Sequence, residues 1–203
     1  MNLKLNLRLS DLKRYVIYDS KGLDIGEPID IALNINDEYR ASSIIIGGGF
    51  IVELLEELER RDNIDEFFSF SQIDRIENSK IHLNINEKEL NKTDAQGNLP
   101  KGLIRFSTIH RMKVVDSSGN PIGEVHDIVF KEGYTYLVLQ DFQFNRNLSI
   151  TSSYRQRIEF ILPISKVDLS GETIIAPLSA EDRLQYVRDN LKPKARGIDP
   201  IYM

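Results

Sequence analysis

The feature that most constrains the fold of this chain is an internal repeat. Residues 18–33, "YDSKGLDIGEPIDIAL", match residues 114–130, "VVDSSGNPIGEVHDIVF", at a constant offset of 97, so that Asp19, Ser20, Gly22, Ile25, Gly26, Glu27, Asp30 and Ile31 recur as Asp116, Ser117, Gly119, Ile122, Gly123, Glu124, Asp127 and Ile128. The match extends backwards, with Arg8, Ser10 and Arg14 against Arg105, Ser107 and Arg111. A second block, "FFSFSQID" against "ILPISKVD", aligns Ser71 and Asp74 with Ser165 and Asp168 at an offset of 94, so the copies differ by three residues in their middles. Such self-similarity means that one supersecondary unit is built twice. The chain has 203 residues, against a prior of about 150 per domain, and each copy has apolar material for a core of its own.

Asp at the first and Gly at the fourth position of "DSKG" and "DSSG" (Asp19 and Gly22, Asp116 and Gly119) are a type I turn signature, with the Gly free to take positive φ in a bulged hairpin. The arm after the first turn alternates: Ile25, Ile29, Ile31, Leu33 and Ile35 hold one parity, expected to face a core, and Gly26, Pro28, Asp30, Ala32 and Asn34 hold the other. Gly26 and Gly123 are expected at a bulge or tight bend. Asp30 and Asp127 occur once per copy, which points to a turn-stabilising or fold-specific role rather than a catalytic dyad. A phosphate loop would need a helix after the glycines, whereas a strand pattern follows. An EF-hand would need acidic or amide side chains at alternate positions and a late Glu, which "DSSGNPIGE" lacks.

Residues 87–102 are polar and carry Gly97, Pro100 and Gly102, the composition of a linker between residues 1–86 and 103–179. "FIVELLEELERR" has the apolar stripe of an amphipathic helix inserted in the first copy. A further helix is expected after Ser179, with its stripe at Ala180, Leu184, Val187 and Leu191 and a stop at Pro193; residues 180–203 thus form a helix and tail. Arg183, Arg188, Lys192, Lys194 and Arg196 make this the densest basic stretch. Together with Ile201 and Tyr202 they are the candidate partner-binding residues, because a Pro-containing apolar tail can dock on a groove or sheet edge of its own dimer or of a partner.

Catalytic chemistry finds little here. There is no cysteine, which excludes disulfides and thiolate metal sites. His82, His110 and His126 lack a second ligand at a metal-binding spacing, and His126 is expected to be a partly buried structural imidazole. Gly47, Gly48 and Gly49 precede the inserted helix and could cradle an anion, but no Lys or hydroxyl follows them and Glu53 would repel phosphate, so they are read as a flexible connection. No catalytic, cofactor or metal site is expected. The net charge of −5 argues against general nucleic-acid or anionic-membrane binding. Neither a membrane span nor the apolar core of a signal peptide is evident, which gives the expectation of a cytoplasmic protein.

With "LRLSDL" and "IRFSTI" leading into the hairpins, "IGEPIDI" and "IGEVHDI" after them, and "FSFSQIDRIENSKIHL" and "FILPISKVDLSGETII" closing, each half resembles a PRC-barrel domain. This is the small β-barrel of the photosynthetic reaction centre H subunit, of the ribosome maturation factor RimM and of short archaeal proteins, cell-division components among them. The resemblance implies a mainly β fold of two tandem barrels, with the amphipathic helix inserted in the first and a helix at the C-terminus. It also implies a non-enzymatic adaptor that recruits a protein partner in cell-division or membrane-associated assembly, with homodimerisation open. The alternative it implies is a maturation factor that binds RNA or the ribosome.

Overall fold

The computed structural model describes residues 6–47, 64–131, 134–140, 159–169, 171–177 and 201–202. They divide into two units, residues 1–108 with 130–133 and residues 109–129 with 134–203. The inserted and C-terminal helices expected from sequence lie outside the described residues.

The first unit opens with β1 (Asn6–Arg8) and the single-turn α1 (Leu9–Leu12), followed by β2 (Val16–Tyr18), β3 (Asp24–Asn34), β4 (Arg40–Gly47) and β5 (Glu66–Ser69). A 3-10 turn, Phe70–Gln72, leads to β6 (Ile73–Glu77) and β7 (Lys80–Leu83). Residues 87–102 form a 3-10 turn at Glu87–Glu89, β8 (Asn91–Lys92) and a tight loop; β9 (Leu103–Arg105) and α2 (Phe106–Ile109) follow. The sheet order is β6-β7-β2-β3-β4-β5-β8, with β9 on β3. Neighbours are antiparallel except β2 and β7. The leading strand of the second sequence copy, β9, thus completes the sheet that contains the first copy's long strand, in the register Ala32↔Arg105, Leu33↔Ile104 and Asn34↔Leu103.

The second unit repeats the plan with β10 (Lys113–Val115), β11 (Pro121–Lys131), β12 (Tyr134–Gln140), β13 (Glu159–Pro163), β14 (Ile174–Ile175) and β15 (Ile201–Tyr202). Its sheet runs β14-β10-β11-β12-β13-β15, with β1 paired to β11, whose last residues Phe130 and Lys131 group with the first unit. β10 and β14 are parallel, as their counterparts β2 and β7 are.

Closed barrels do not form among the described residues, which overturns both the tandem-barrel fold and the PRC-barrel resemblance. Each sheet is an open path, from β6 to β8 and from β14 to β15, and the ends of a path are not hydrogen-bonded to each other among the described residues. In the first sheet β5 passes into β6 through a capped 3-10 turn, where Ser69 N–H donates to Gln72 Oε1 at 2.8 Å and Ser71 N–H donates to Ser69 Oγ at 3.2 Å, so these two donors are satisfied within the turn; the equivalent turn of the second sheet, Ile164–Lys166, has no such side-chain cap. What remains of the expectation is a mainly β chain with two one-turn helices among the described residues.

The expected one-faced alternation of β3 also fails. Asp30, Ile31, Ala32 and Leu33 are all buried although Asp30 to Ala32 run in unbroken register, so burial here takes in both parities; register shifts between Pro28 and Asp30 and between Ala32 and Leu33 further reset the parity on either side. The second face is covered as well: Ala32 packs with Ile45 and Phe67, and Ile29, Leu99 and Leu103 close over them. Ile35, assigned to the core parity, is 43% exposed.

Candidate functional site

The turn glycines occupy three loops of one design. In the first, Asp19 N–H donates to Leu23 O and Gly22 N–H donates to Asp19 O, while Lys21 and Leu23 N–H groups donate to Asp19 Oδ1 at 2.8 and 2.9 Å. In the second copy Asp116 and Gly119 reproduce this, with Ser118 and Asn120 N–H groups on Asp116 Oδ1 at 2.9 and 2.8 Å. Gly22 and Gly119 have φ of +80° and +84°, in the left-handed region open to glycine. The third loop, at residues 94–98, was missed by the sequence reading although "DAQGN" has the same Asp-x-x-Gly spacing. Asp94 Oδ1 accepts from Gln96 and Asn98 N–H, and Gly97 has φ of +79°. Donated hydrogen bonds hold two of these carboxyls below the usual range: Asp19 chiefly through Leu23 N–H against an opposing effect of burial, and Asp94 chiefly through the Asn98 side-chain amide. The Oδ1 atoms are engaged by backbone N–H groups of their own loops, while Oδ2 accepts from Glu87 N–H at Asp19 and from the Asn98 and Asn120 side-chain amides at Asp94 and Asp116.

Asp30 and Asp127 are buried and use one oxygen alike, accepting from Ile31 N–H and Ile128 N–H at 2.8 Å. Asp30 also receives Ser107 N–H at 3.2 and 3.3 Å, so a carboxylate of the first copy caps the opening turn of α2, which belongs to the second. Beside it, Arg105 pairs with the half-buried Asp65 and donates to Gly97 O at 2.8 Å. Neither pairing was legible in sequence, since the partners lie 77 and 40 residues apart.

Gly26 and Gly123 both lie next to register shifts, against Ile17 and Val114. Only Gly26 is among the positive-φ glycines, at +118°. Gly47 ends β4, where a Cβ would meet Ile29 Cγ2 at 2.5 Å, so its need for glycine is explained by packing; Gly48 and Gly49 lie outside the described residues. His126 is exposed, contrary to the expected partial burial, because the strand packs Val125 and Asp127 inward around it. His82 is half-buried, stacked on Tyr18 at 5.4 Å, with Nε2 3.5 Å from Glu77 Oε1. Arg183, Arg188, Lys192, Lys194 and Arg196 lie outside the described residues. Ile201 and Tyr202 form β15, placed on the edge of β13 in the parallel register Phe160↔Ile201 and Ile161↔Tyr202.

That edge has a counterpart in the first unit. β5 aligns with β13 at the repeat's second offset, and its outer edge is covered by β8 through Glu66↔Lys92 and Phe67↔Asn91. Positions 66 and 67 correspond to 160 and 161. Each sheet therefore ends at one equivalent pair of residues, under a two-residue strand from outside the repeated segment. No family model matches this chain, and no curated protein matches it. The barrel adaptor of cell division and the RNA or ribosome maturation factor rested on the PRC-barrel resemblance and fall with it. Among the described residues, no helix is long and apolar enough to cross a membrane.

Proposed function

We propose that this chain is a non-catalytic polypeptide-binding protein that receives an extended segment as an added strand on the outer edge of β13. The observation that supports this is the occupation of the same two edge positions, 160–161 and 66–67, by short strands of different origin and direction, parallel for β15 and antiparallel for β8. Two equivalent edges that are covered by strands of opposite polarity, β13 by a parallel one and β5 by an antiparallel one, share main-chain hydrogen bonding as their common means of pairing, which is the physics of strand addition. The polar side chains that could suggest chemistry have structural work instead: Asp19, Asp94 and Asp116 close turns, and Asp30 caps α2.

The test is to open the edge in the full chain with Ile201→Pro and Tyr202→Pro together, which removes both N–H groups that β15 could donate. A labelled peptide with the sequence of residues 197–203 should bind this variant at least about tenfold more tightly than the unchanged chain, because about 1.4 kcal/mol of competition from the resident strand is removed. Equal affinity in the two proteins, with unchanged amide exchange at residues 160 and 161, would reject strand addition at this edge.

A further inference from the structure

We infer that the strand received by the β13 edge comes from residues 201–202 of a second copy of this chain, so that two copies associate by exchanging β15; this rests on the strand-addition reading above. The two covered edges differ in how their covering strand is connected. β8 follows β7 after only residues 84–90 and is fixed on both flanks. Before it, Asn86 and Glu89 cap the 3-10 turn; after it, Thr93 N–H donates to Asp65 O and Asp65 N–H donates to Thr93 Oγ1, both at 2.9 Å. So short a connection supplies the strand from the same chain. β15 is separated from β14 by the 25 residues 176–200, against the seven that join β7 to β8, so its covalent connection does not tie it to the β13 edge of its own copy as closely as β8 is tied to β5.

Exchange conserves the pairing itself. Phe160↔Ile201 and Ile161↔Tyr202 are the same contacts whichever copy provides them, so the balance depends on chain closure and concentration. A long connection weakens the preference for self-closure, and a two-residue strand is too short to trap the closed form. In a reciprocal pair each copy donates and receives once, and the second pairing forms within the already joined dimer. The first sheet, completed by its tethered β8, takes no part.

The absence of cysteine makes the inference directly testable in the full chain. Adjacent strands lie about 4.8 Å apart, within the Cα separation a disulfide spans. Phe160→Cys and Ile201→Cys are made singly, mixed and oxidised, and also combined in one chain. Exchange predicts a disulfide-linked heterodimer from the mixture, with a yield that rises with protein concentration while circular dichroism stays unchanged. A linked monomer from the double variant at every concentration, with no heterodimer from the mixture, overturns the exchange but leaves strand addition standing. No linkage in either experiment overturns both. Should Phe160→Cys fail to fold, light scattering of the unsubstituted chain against the variant carrying Ile201→Pro and Tyr202→Pro decides: a dimer lost in that variant supports the exchange, and a monomer in both overturns it.

Discussion

The two sheets are built from one repeated sequence, yet they are closed off at their outer edges by different means. In the first, β8 is an antiparallel strand held by a short connection and by the Lys92–Glu66 pair at 2.9 Å. In the second, β15 is a parallel strand that arrives after a long connection and covers the equivalent residues. A repeated unit thus dictates where an edge lies without dictating what covers it. Covering is needed in both cases, because an open row of N–H and C=O groups is a template for uncontrolled pairing. A comparable asymmetry runs through the bends, where Gly26 and Gly123 align in sequence and differ in backbone conformation.

That second asymmetry gives the largest expected effect. Gly26→Val imposes a branched side chain at φ +118°, where a Cβ would lie 2.6 Å from Gly47 O, a backbone atom that cannot swing away. The cost should be about 3 kcal/mol or more. Gly123→Val, without a positive φ, should cost about 1 kcal/mol, the ordinary size for a point substitution. Urea unfolding of both variants measures the contrast. Equal losses would mean that the two bends are equivalent after all.

Next in size is Asp30→Ala, which leaves the buried Ile31 N–H and the partly buried Ser107 N–H without their acceptor and should cost about 2 kcal/mol. Asp30→Asn keeps an acceptor oxygen and should recover part of the loss. Asp127→Ala tests the symmetry: a matching loss, read from the urea midpoint at constant slope, would show that the capping carboxylate works alike in both copies. A loss under about 0.5 kcal/mol would confine the device to Asp30.

How much of this could be read in the sequence depends on the range of the interaction. The turns at Asp19 and Asp116 were legible because their hydrogen bonds span two to four residues and require a glycine at a fixed place. The loop at Asp94 was equally local and was overlooked only because its surroundings have the composition of a linker. Open sheets, by contrast, could not be told from closed barrels by alternation, since closure depends on whether the first and last strands meet. The bulges of β3 misled the parity argument for a related reason: a single extra residue turns every later side chain to the other face. The edge at residues 160–161 was illegible because its occupant lies some 40 positions away.

The acid limb of stability tests whether the third loop behaves like its relative in the first copy. Both Asp19 and Asp94 are held below the ordinary 3.8 in the folded chain, so on acidification the unfolded chain binds protons first. Their contribution is therefore complete above the unfolded value and disappears as pH falls through the folded one. Asp94→Asn should flatten the acid limb and leave the pH dependence above about pH 5 unaltered, as should Asp19→Asn. Melting temperatures across that range decide it, and a change confined to neutral pH would show that charge is not what these loops use.

The smallest effect separates the two edges most finely. Lys92 is 59% exposed and Glu66 28%, so their ion pair sits mostly in water and Lys92→Met should cost no more than about 0.5 kcal/mol. What holds β8 is then its backbone pairing to β5 and the Thr93–Asp65 exchange beside it. Thr93→Val removes the hydroxyl that accepts from Asp65 N–H at a buried position and should cost more than Lys92→Met, about 1 kcal/mol. Adding 1 M salt should erase the Lys92→Met effect, because screening at that ionic strength acts within about 3 Å, and leave the Thr93→Val effect in place. If salt abolished both, β8 would be held by charge and its edge would be as exchangeable as the one that β15 covers.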